Sequence, residues 1–334
     1  MESFWLKLPK PFFILAPMAD VTDAAFRQII AKYGKPDVMY TEFVSADGLV
    51  HSEGRKRLLL DLKYGENERP IVAQLFSSRP EKIKEAAKLV RSLGFDGLDI
   101  NMGCPDKTIE KQGAGAALIK NPELAKEIIM AAEGGFGGRV SVKTRLGYSS
   151  LDEFDSWFSA LIEVNPIAIT VHLRTRQEMS KVPAHWELAS KLHEFVGHQV
   201  ANKATRWPYH PLVIANGDVQ SLAEAKEKAQ MYNLDGIMIG KGVFGNPYLF
   251  ALEPSDGYNS SRRTAPGLEE RMRIMIEHVY LFEEYFQGKK SFAVMKKFFK
   301  AYIAGHPQAK DLQEKLMACE SAQGVEKVCR YIRG

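Results

Sequence analysis

Eight short apolar runs, most followed by a helix-periodic stretch, set the tightest limit on how this 334-residue chain can fold. They are FFILAPM (12–18), DVMYTEF (37–43), PIVAQLF (70–76), GLDINMG (97–103), VSVKTRLG (140–147), AITVHLRT (168–175), PLVIANGDV (211–219) and GIMIGKG (236–242). Helical patterns are expected at 22–34, 80–93, 121–134, 152–164, 183–195 and 221–232, with a short one near 246–252. Strands apolar on both faces suit a parallel sheet covered by helices. Eight such units over about 250 residues point to an α/β TIM (β/α)8 barrel. No Gly-x-Gly-x-x-Gly follows the first run, which speaks against a dinucleotide-binding doubly wound sheet.

The alternation stops at EPSDGYNSSRRTAPG (253–267), a polar Gly/Pro/Ser-rich link. Beyond it the pattern is helical throughout, with Leu, Phe and Met at three- and four-residue spacing. The expected organisation is a barrel over 1–252, a linker over 253–266 and a small C-terminal all-α helical bundle over 267–334. Charge follows the same division. From Arg262 onward there are 14 Lys/Arg against 9 Asp/Glu, whereas the first 261 residues hold 31 against 32. An anionic partner for the C-terminal part follows from that asymmetry. Its densest stretch is KKSFAVMKKFFK (289–300). On one continuous helix, Lys289, Lys290, Lys296, Lys297 and Lys300 share a face opposite Phe292, Met295, Phe298 and Phe299. That stripe is either a solvated face or a set of contacts to a phosphate backbone.

No stretch reaches the roughly 18 consecutive apolar residues of a membrane span. The start, MESFWLKLPKPFFILAPM, lacks the basic opening and unbroken apolar core of a secretory signal, so a cytoplasmic monomer is expected. Cys104, Cys319 and Cys329 form neither a CxxC nor a Cys/His cluster, so neither disulfide framework nor metal site is expected. The link VGHQVANKATRWPYHP (196–211) would lie on the barrel face away from the chemistry.

In such a barrel the active site sits at the C-terminal ends of the strands. Polar and small residues there are Pro17, Met18 and Ala19, then Gln74, Asn101, Cys104, Lys143, His172 and Arg174. Asn216, Gly217 and Asp218 follow strand 7; Gly240 and Lys241 follow strand 8. Loops after strands 7 and 8 commonly bind phosphate through backbone N–H groups, although the same glycines would serve as plain turns. A cation and an amide inside strands, Lys143 and Gln74, cost several kcal/mol unless partnered. A flavin ring edge would partner them; an ion pair between Lys143 and Asp99 is the alternative. Cys104, between Gly103 and Pro105, opens a loop read as exposed, mobile and basic. Its thiol could act as a nucleophile, but no histidine lies nearby in sequence to activate it. With an ordinary pKa near 8.5 it stays protonated at neutral pH and can serve as a general acid.

Taken together, LAPMADVTDAAFR, VAQLF, DGLDINMGCPDKTIEKQGAGAAL, VSVKTRLG, TVHLRTR, VIANGDV and DGIMIGKGVFGNPYLF resemble the flavin-dependent tRNA-dihydrouridine synthases nearly end to end. The resemblance implies a barrel binding FMN, with a helical domain that binds tRNA and NADPH or NADH as reductant. It implies Pro17, Met18 and Ala19 along the flavin ring, and Gln74 and Lys143 on its polar edge. His172, Asn216, Gly217, Asp218, Gly240 and Lys241 would hold the ribityl chain and phosphate. Asn101 would orient the uracil, Cys104 would be the catalytic proton donor, and Arg174, Lys289, Lys296, Lys297 and Lys300 would contact the substrate. Three positions depart from the family pattern: Lys241 replaces an arginine, Asp20 a glycine and Leu173 a small residue. Competing expectations are an FMN-dependent barrel reductase of a small pyrimidine or enone, and a non-catalytic RNA-binding barrel.

Overall fold

A computed structural model of the chain describes residues 3–201, 210–251 and 266–331. Eight strands run β1 Phe12–Leu15, β2 Met39–Ser45, β3 Ile71–Phe76, β4 Gly97–Asn101, β5 Ser141–Arg145, β6 Ala168–His172, β7 Leu212–Asn216 and β8 Gly236–Ile239. All neighbours pair in parallel in the order β1-β8-β7-β6-β5-β4-β3-β2. A parallel bridge between Ile14 and Val38 joins β1 to the lead-in of β2. There Phe13 O accepts from Asp37 N at 2.9 Å, and Leu15 N donates to Val38 O at 3.2 Å. These bonds close the ring, as the TIM-barrel expectation requires.

The covering helices are α1 Ala24–Tyr33, α2 Ala46–Val50, α3 Ser52–Leu58, α4 Pro80–Ser92, α5 Lys107–Lys111, α6 Pro122–Phe136, α7 Phe154–Val164, α8 Leu188–Ala201 and α9 Leu222–Met231. Their starts are coded locally. The Asp23 carboxylate accepts from Phe26 N at 2.9 Å to cap α1, and Asn121 caps α6 ahead of Pro122. Two expectations are corrected. The stretch near 246–252 is a set of turns where described, not a helix. Helix α8 begins at Leu188 rather than 183, because residues 173–187 form a loop tied to the site below. The expected long link therefore starts as helix, and its remainder at 202–209 lies outside the described residues.

Side chains alternate along each strand, so one parity fills the barrel. Toward the N-terminal ends it is apolar: Phe12, Ile14, Val38, Val72, Ala168, Leu212 and Ile214 form a buried plug sealed by Trp5. Each buried Phe, Ile, Val or Leu among them contributes about 1.5–3 kcal/mol. Further along, the same parity turns polar, with Gln74, Asp99, Asn101, Ser141, Lys143 and His172. The plug supplies the stability, which leaves the mouth free for chemistry.

The C-terminal part is all helix among the described residues: α10 Leu268–Phe286, α11 Lys296–Tyr302, α12 Ala309–Met317 and α13 Ala322–Tyr331. The proposed linker at 253–266 falls almost wholly outside the described residues. The helices dock on α1, where Phe26 stacks on Phe298 with centroids 5.2 Å apart and meets the His278 ring at 5.6 Å. Glu277 adds bonds to Lys32 Nζ and Tyr33 OH, both 2.6 Å. The continuous lysine stripe is corrected here. Gln287 and Gly288 adopt left-handed backbone and end α10, and Ser291 caps a new turn. Lys289 and Lys290 thus lie in a bend, and Lys290 turns inward to Glu42 at 3.0 Å and Asp61 at 2.7 Å. Lys296, Lys297 and Lys300 alone share α11; Lys297 lies 3.7 Å from Asp20.

Candidate active site

One cleft at the strand ends is lined by Pro17, Phe43, Gln74, Asn101, Gly103, Cys104, Pro105, Lys143, Arg145 and His172. A wider depression of about 460 Å³ on α12 exceeds this cleft of about 150 Å³. That depression is lined only by surface side chains of one helix, so volume does not mark the site. Converging buried polar groups do.

Cys104 follows β4 on a loop held by four hydrogen bonds from three residues. Asn101 Oδ1 accepts from Cys104 N at 2.9 Å and from Gly103 N at 3.1 Å. Arg145 Nε donates to Gly103 O at 2.7 Å, and Ala116 N donates to Cys104 O at 3.0 Å. Beyond Pro105, Asp106 caps α5 through Thr108 N at 2.8 Å. The expectation of a mobile loop is therefore corrected: the thiol is half-buried and fixed, and the basic stretch after it is a short helix. Burial pushes the Cys104 thiol above its ordinary value, against the lowering effect of Asp106 N–H and of the Arg145 and Lys143 charges. It stays protonated at neutral pH.

Gly115 backs this loop at φ +62°, where a Cβ would stand 2.8 Å from Cys104 O. Gly115→Ala is expected to cost about 1–3 kcal/mol, read as a lower denaturant midpoint at unchanged slope.

Beneath the thiol runs a buried polar floor. Asp99 Oδ1 accepts from Ser141 Oγ at 2.6 Å, and Oδ2 accepts from Gln74 Nε2 at 2.7 Å. Gln74 Oε1 in turn accepts from Asn101 Nδ2 at 3.1 Å. Burial raises the Asp99 carboxyl to about 7. Lys143 does not take Asp99 as its hydrogen-bond partner; its Nζ donates to Asn216 Oδ1 at 3.2 Å. Burial, reinforced by repulsion from Arg145, lowers the Lys143 ammonium to about 8 despite the pull of Asp99.

His172 is held neutral, first by burial and then by the surrounding Lys143, Arg145, Arg174 and Lys241 charges. Arg174 Nη1 lies 3.0 Å from His172 Nε2. A guanidinium only donates, so Nε2 carries the lone pair and the ring proton sits on Nδ1. The remaining donors of Arg174 go to Val182 O at 2.7 Å and to the Asp218 carboxylate. Asp218 also accepts from Ala184 N at 2.9 Å. Arg174 and Asp218 thus pin the β6–α8 loop. Gly217, at φ +146°, admits Ala184, whose Cβ would lie 2.7 Å from an added one. A Cβ at Gly240 would lie 3.4 Å from Met18 Sδ and 3.5 Å from Ala16 Cβ, and Lys241 beside it is exposed. Pro17 lines the cleft and Ala19 is exposed at its rim. Lys289, in the bend after α10, and Lys296, Lys297 and Lys300, on α11, lie outside the cleft.

Two lining residues were not singled out from sequence. Arg145 stands two positions after Lys143 and so shares its face, a period-two signal that was present. Its Nη1 also reaches Thr175 O at 3.0 Å and Met179 O at 3.2 Å, contacts between loops that no spacing announces. Phe43, packed edge-on against Phe76, is the other.

A family model described as dihydrouridine synthase matches residues 14–333. The chain belongs to the dihydrouridine synthase family. It is 39% identical over 321 residues to a probable tRNA-dihydrouridine synthase of Staphylococcus aureus (strain COL), covering 96% of this chain and 92% of that protein. A probable tRNA-dihydrouridine synthase of Staphylococcus epidermidis (strain RP62A) is 40% identical over 321 residues, 96% and 93% of the two chains. Probable tRNA-dihydrouridine synthase 2 of Bacillus subtilis (strain 168) is 38% identical over 325 residues, 97% and 94%. Dihydrouridine synthases are flavin-dependent oxidoreductases, and the donor set of this cleft fits a flavin. Lys143 offers ammonium N–H groups at the cleft, and Gln74 and Asn101 each have a second amide N–H beyond the one given to Asp99 Oδ2 or Gln74 Oε1, a donor set that suits a ring edge rich in carbonyls and nitrogens. The N–H groups after β7 and β8 suit a phosphate, and the acid beside them, Asp218, is paired with Arg174. Among the described residues no helix is long and apolar enough to cross a membrane, and no cluster of His, Cys, Asp and Glu could hold a metal.

Proposed function

We propose that this dihydrouridine synthase reduces particular uridines of tRNA to 5,6-dihydrouridine, using FMN reduced by NADPH or NADH and Cys104 as general acid. The observation that carries the reading is a protonated thiol fixed at the rim of a cleft whose floor is cationic and amide-lined. When bound, the reduced flavin supplies the hydride that adds at C6 of the uracil. Pro17, Met18 and Ala19 support the ring face, and Gln74 and Lys143 hold its polar edge. His172, Asn216, Gly217, Asp218, Gly240 and Lys241 take the ribityl chain and phosphate. Asn101 orients the uracil, and Cys104 gives its proton to C5, so that hydride and proton together saturate the bond. The thiolate left behind faces the Arg145 and Lys143 charges until solvent reprotonates it.

A stacked uridine cannot enter so narrow a mouth, so the base has to be flipped out of the RNA. The C-terminal helical domain, 267–334, joined through 253–266 to the barrel of 1–252, takes the backbone through Lys289, Lys296, Lys297 and Lys300. Reversing Lys296, Lys297 and Lys300 to Glu is expected to flatten the salt dependence of tRNA affinity, its log–log slope falling by about 2–3. Filter binding across a salt titration reads it; an unchanged slope leaves these lysines as solvated charges. The decisive assay incubates purified protein with FMN, NADPH and tRNA lacking dihydrouridine, with free uridine alongside. Dihydrouridine in tRNA alone is expected; turnover of free uridine alone would replace this reading with a small-molecule reductase.

A further inference from the structure

We propose that Asp99 is a positioning residue for Cys104, acting through a directional hydrogen-bond relay that runs Asp99–Gln74–Asn101 to the Cys104 loop. The inference rests on the proposed role of that thiol, but it concerns what holds the thiol still. Each amide in the relay could sit either way round, since oxygen and nitrogen are nearly the same size. The two ends decide. At the bottom, Asp99 in its ionised form, which prevails above about pH 7, offers only acceptors to Gln74 Nε2 at 2.7 Å, so Gln74 turns its carbonyl upward, and the test below is read at about pH 8.5. At the top, Gly103 N and Cys104 N offer only donors, at 3.1 and 2.9 Å, so Asn101 turns its carbonyl to them and its amino group down. The amino group meets the waiting carbonyl at 3.1 Å.

Strand register builds this alignment. Gln74 is paired with Asp99 across β3 and β4, and Asp99 with Ser141 across β4 and β5. Asp99, Gln74 and Ser141 are fully buried and Asn101 is 5% exposed, so water is not at hand to replace a lost bond. The carboxylate is further anchored by Ser141 Oγ, beside which Tyr40 OH lies at 3.3 Å. The charged and titratable groups around Asp99 are Lys143 on β5 and Tyr40 on β2.

Reversing the relay tests it. Asn101→Asp still accepts from Gly103 N and Cys104 N, but it sets a carboxylate against the Gln74 carbonyl. Adding Asp99→Asn lets Gln74 turn over, accept from residue 99 and donate to residue 101, restoring every bond with total charge unchanged. The readout is deuterium exchange in the full chain, in the peptide containing Gly103 and Cys104, with peptides of α6 as the control. In Asn101→Asp this exchange is expected to accelerate about tenfold, the worth of one buried hydrogen bond between neutral groups. In Asp99→Asn with Asn101→Asp it should return to within about threefold of the parent, a coupling that two independent packing defects would not give. If Asn101→Asp unfolds the chain, a folded double variant with parent-like exchange supports the relay, and a double variant that is also unfolded overturns it. A double variant no better than Asn101→Asp, or an Asn101→Asp protein with unchanged exchange, overturns the relay. Neither outcome depends on Cys104 being the acid.

Discussion

Cys104→Ala should bind flavin and tRNA like the parent protein and form dihydrouridine about 10²–10⁴-fold more slowly, the usual range for loss of a positioned general acid. The separation follows from where the thiol's contacts lie. Its loop is held through backbone groups, by Asn101, Arg145 and Ala116, so removal of the sulfur leaves those bonds in place. The measurement is a single turnover of pre-reduced, flavin-loaded protein with tRNA, quantified as dihydrouridine, with flavin absorbance and tRNA affinity as controls. The pH profile adds a second readout. Burial raises the thiol pKa above its ordinary value. The acid is therefore present through neutrality and lost only as pH rises through that raised value, giving an alkaline decline. The residual rate of Cys104→Ala should lack that decline. Parent-like activity in the variant would remove Cys104 from the chemistry.

The parts of this architecture that could be read from sequence are those coded by local chemistry. Strands apolar on both faces announced the barrel, because only a sheet covered by helices and filled by side chains buries both faces. Placing Gln74, Asn101, Cys104, Lys143 and His172 in one cleft needed only the rule that strand C-termini converge. The errors arose where a local signal was present but overruled. A wheel drawn from 289 to 300 ignored Gly288 and Ser291, a helix stop and a helix start, and so enrolled Lys290 in a surface stripe. That lysine is an internal tie to Glu42 and Asp61. Helix α8 starts five residues late because Arg174 and Asp218 hold the preceding loop, contacts between segments 44 residues apart. The direction of the Asp99 relay was hidden for another reason. It depends on which strands are neighbours and in what register, and a sequence gives the inward parity of each strand but not the rungs that join them.

Lys143→Met is expected to stabilise the flavin-free protein while disabling it, and the two effects share one cause. The buried ammonium is displaced from an ordinary 10.5 to about 8, which corresponds to about 3 kcal/mol of destabilisation when the group is charged. The sign follows from proton uptake. Between those values the unfolded chain binds the proton and the folded chain does not, so the penalty is full below about pH 8 and relieved as pH rises toward 10.5. A methionine of similar length removes the charge and forfeits one bond to Asn216 Oδ1, worth about 1 kcal/mol. The net gain at pH 7 should then be about 2 kcal/mol, shrinking toward zero and below it as pH rises past 8; thermal unfolding at pH 7 and pH 10 reads both. In the proposed function, Lys143 is the cation that would meet negative charge on the flavin ring edge. Its loss should slow flavin reduction by NADPH about 10²–10³-fold, the usual scale for removing one preorganised electrostatic partner, seen as slower bleaching of the flavin band. A variant less stable than the parent at pH 7, yet reduced at the parent rate, would show that the ammonium serves packing and not chemistry. The opposite pair of results would mean that this barrel keeps a destabilising charge in its mouth because the reaction uses it.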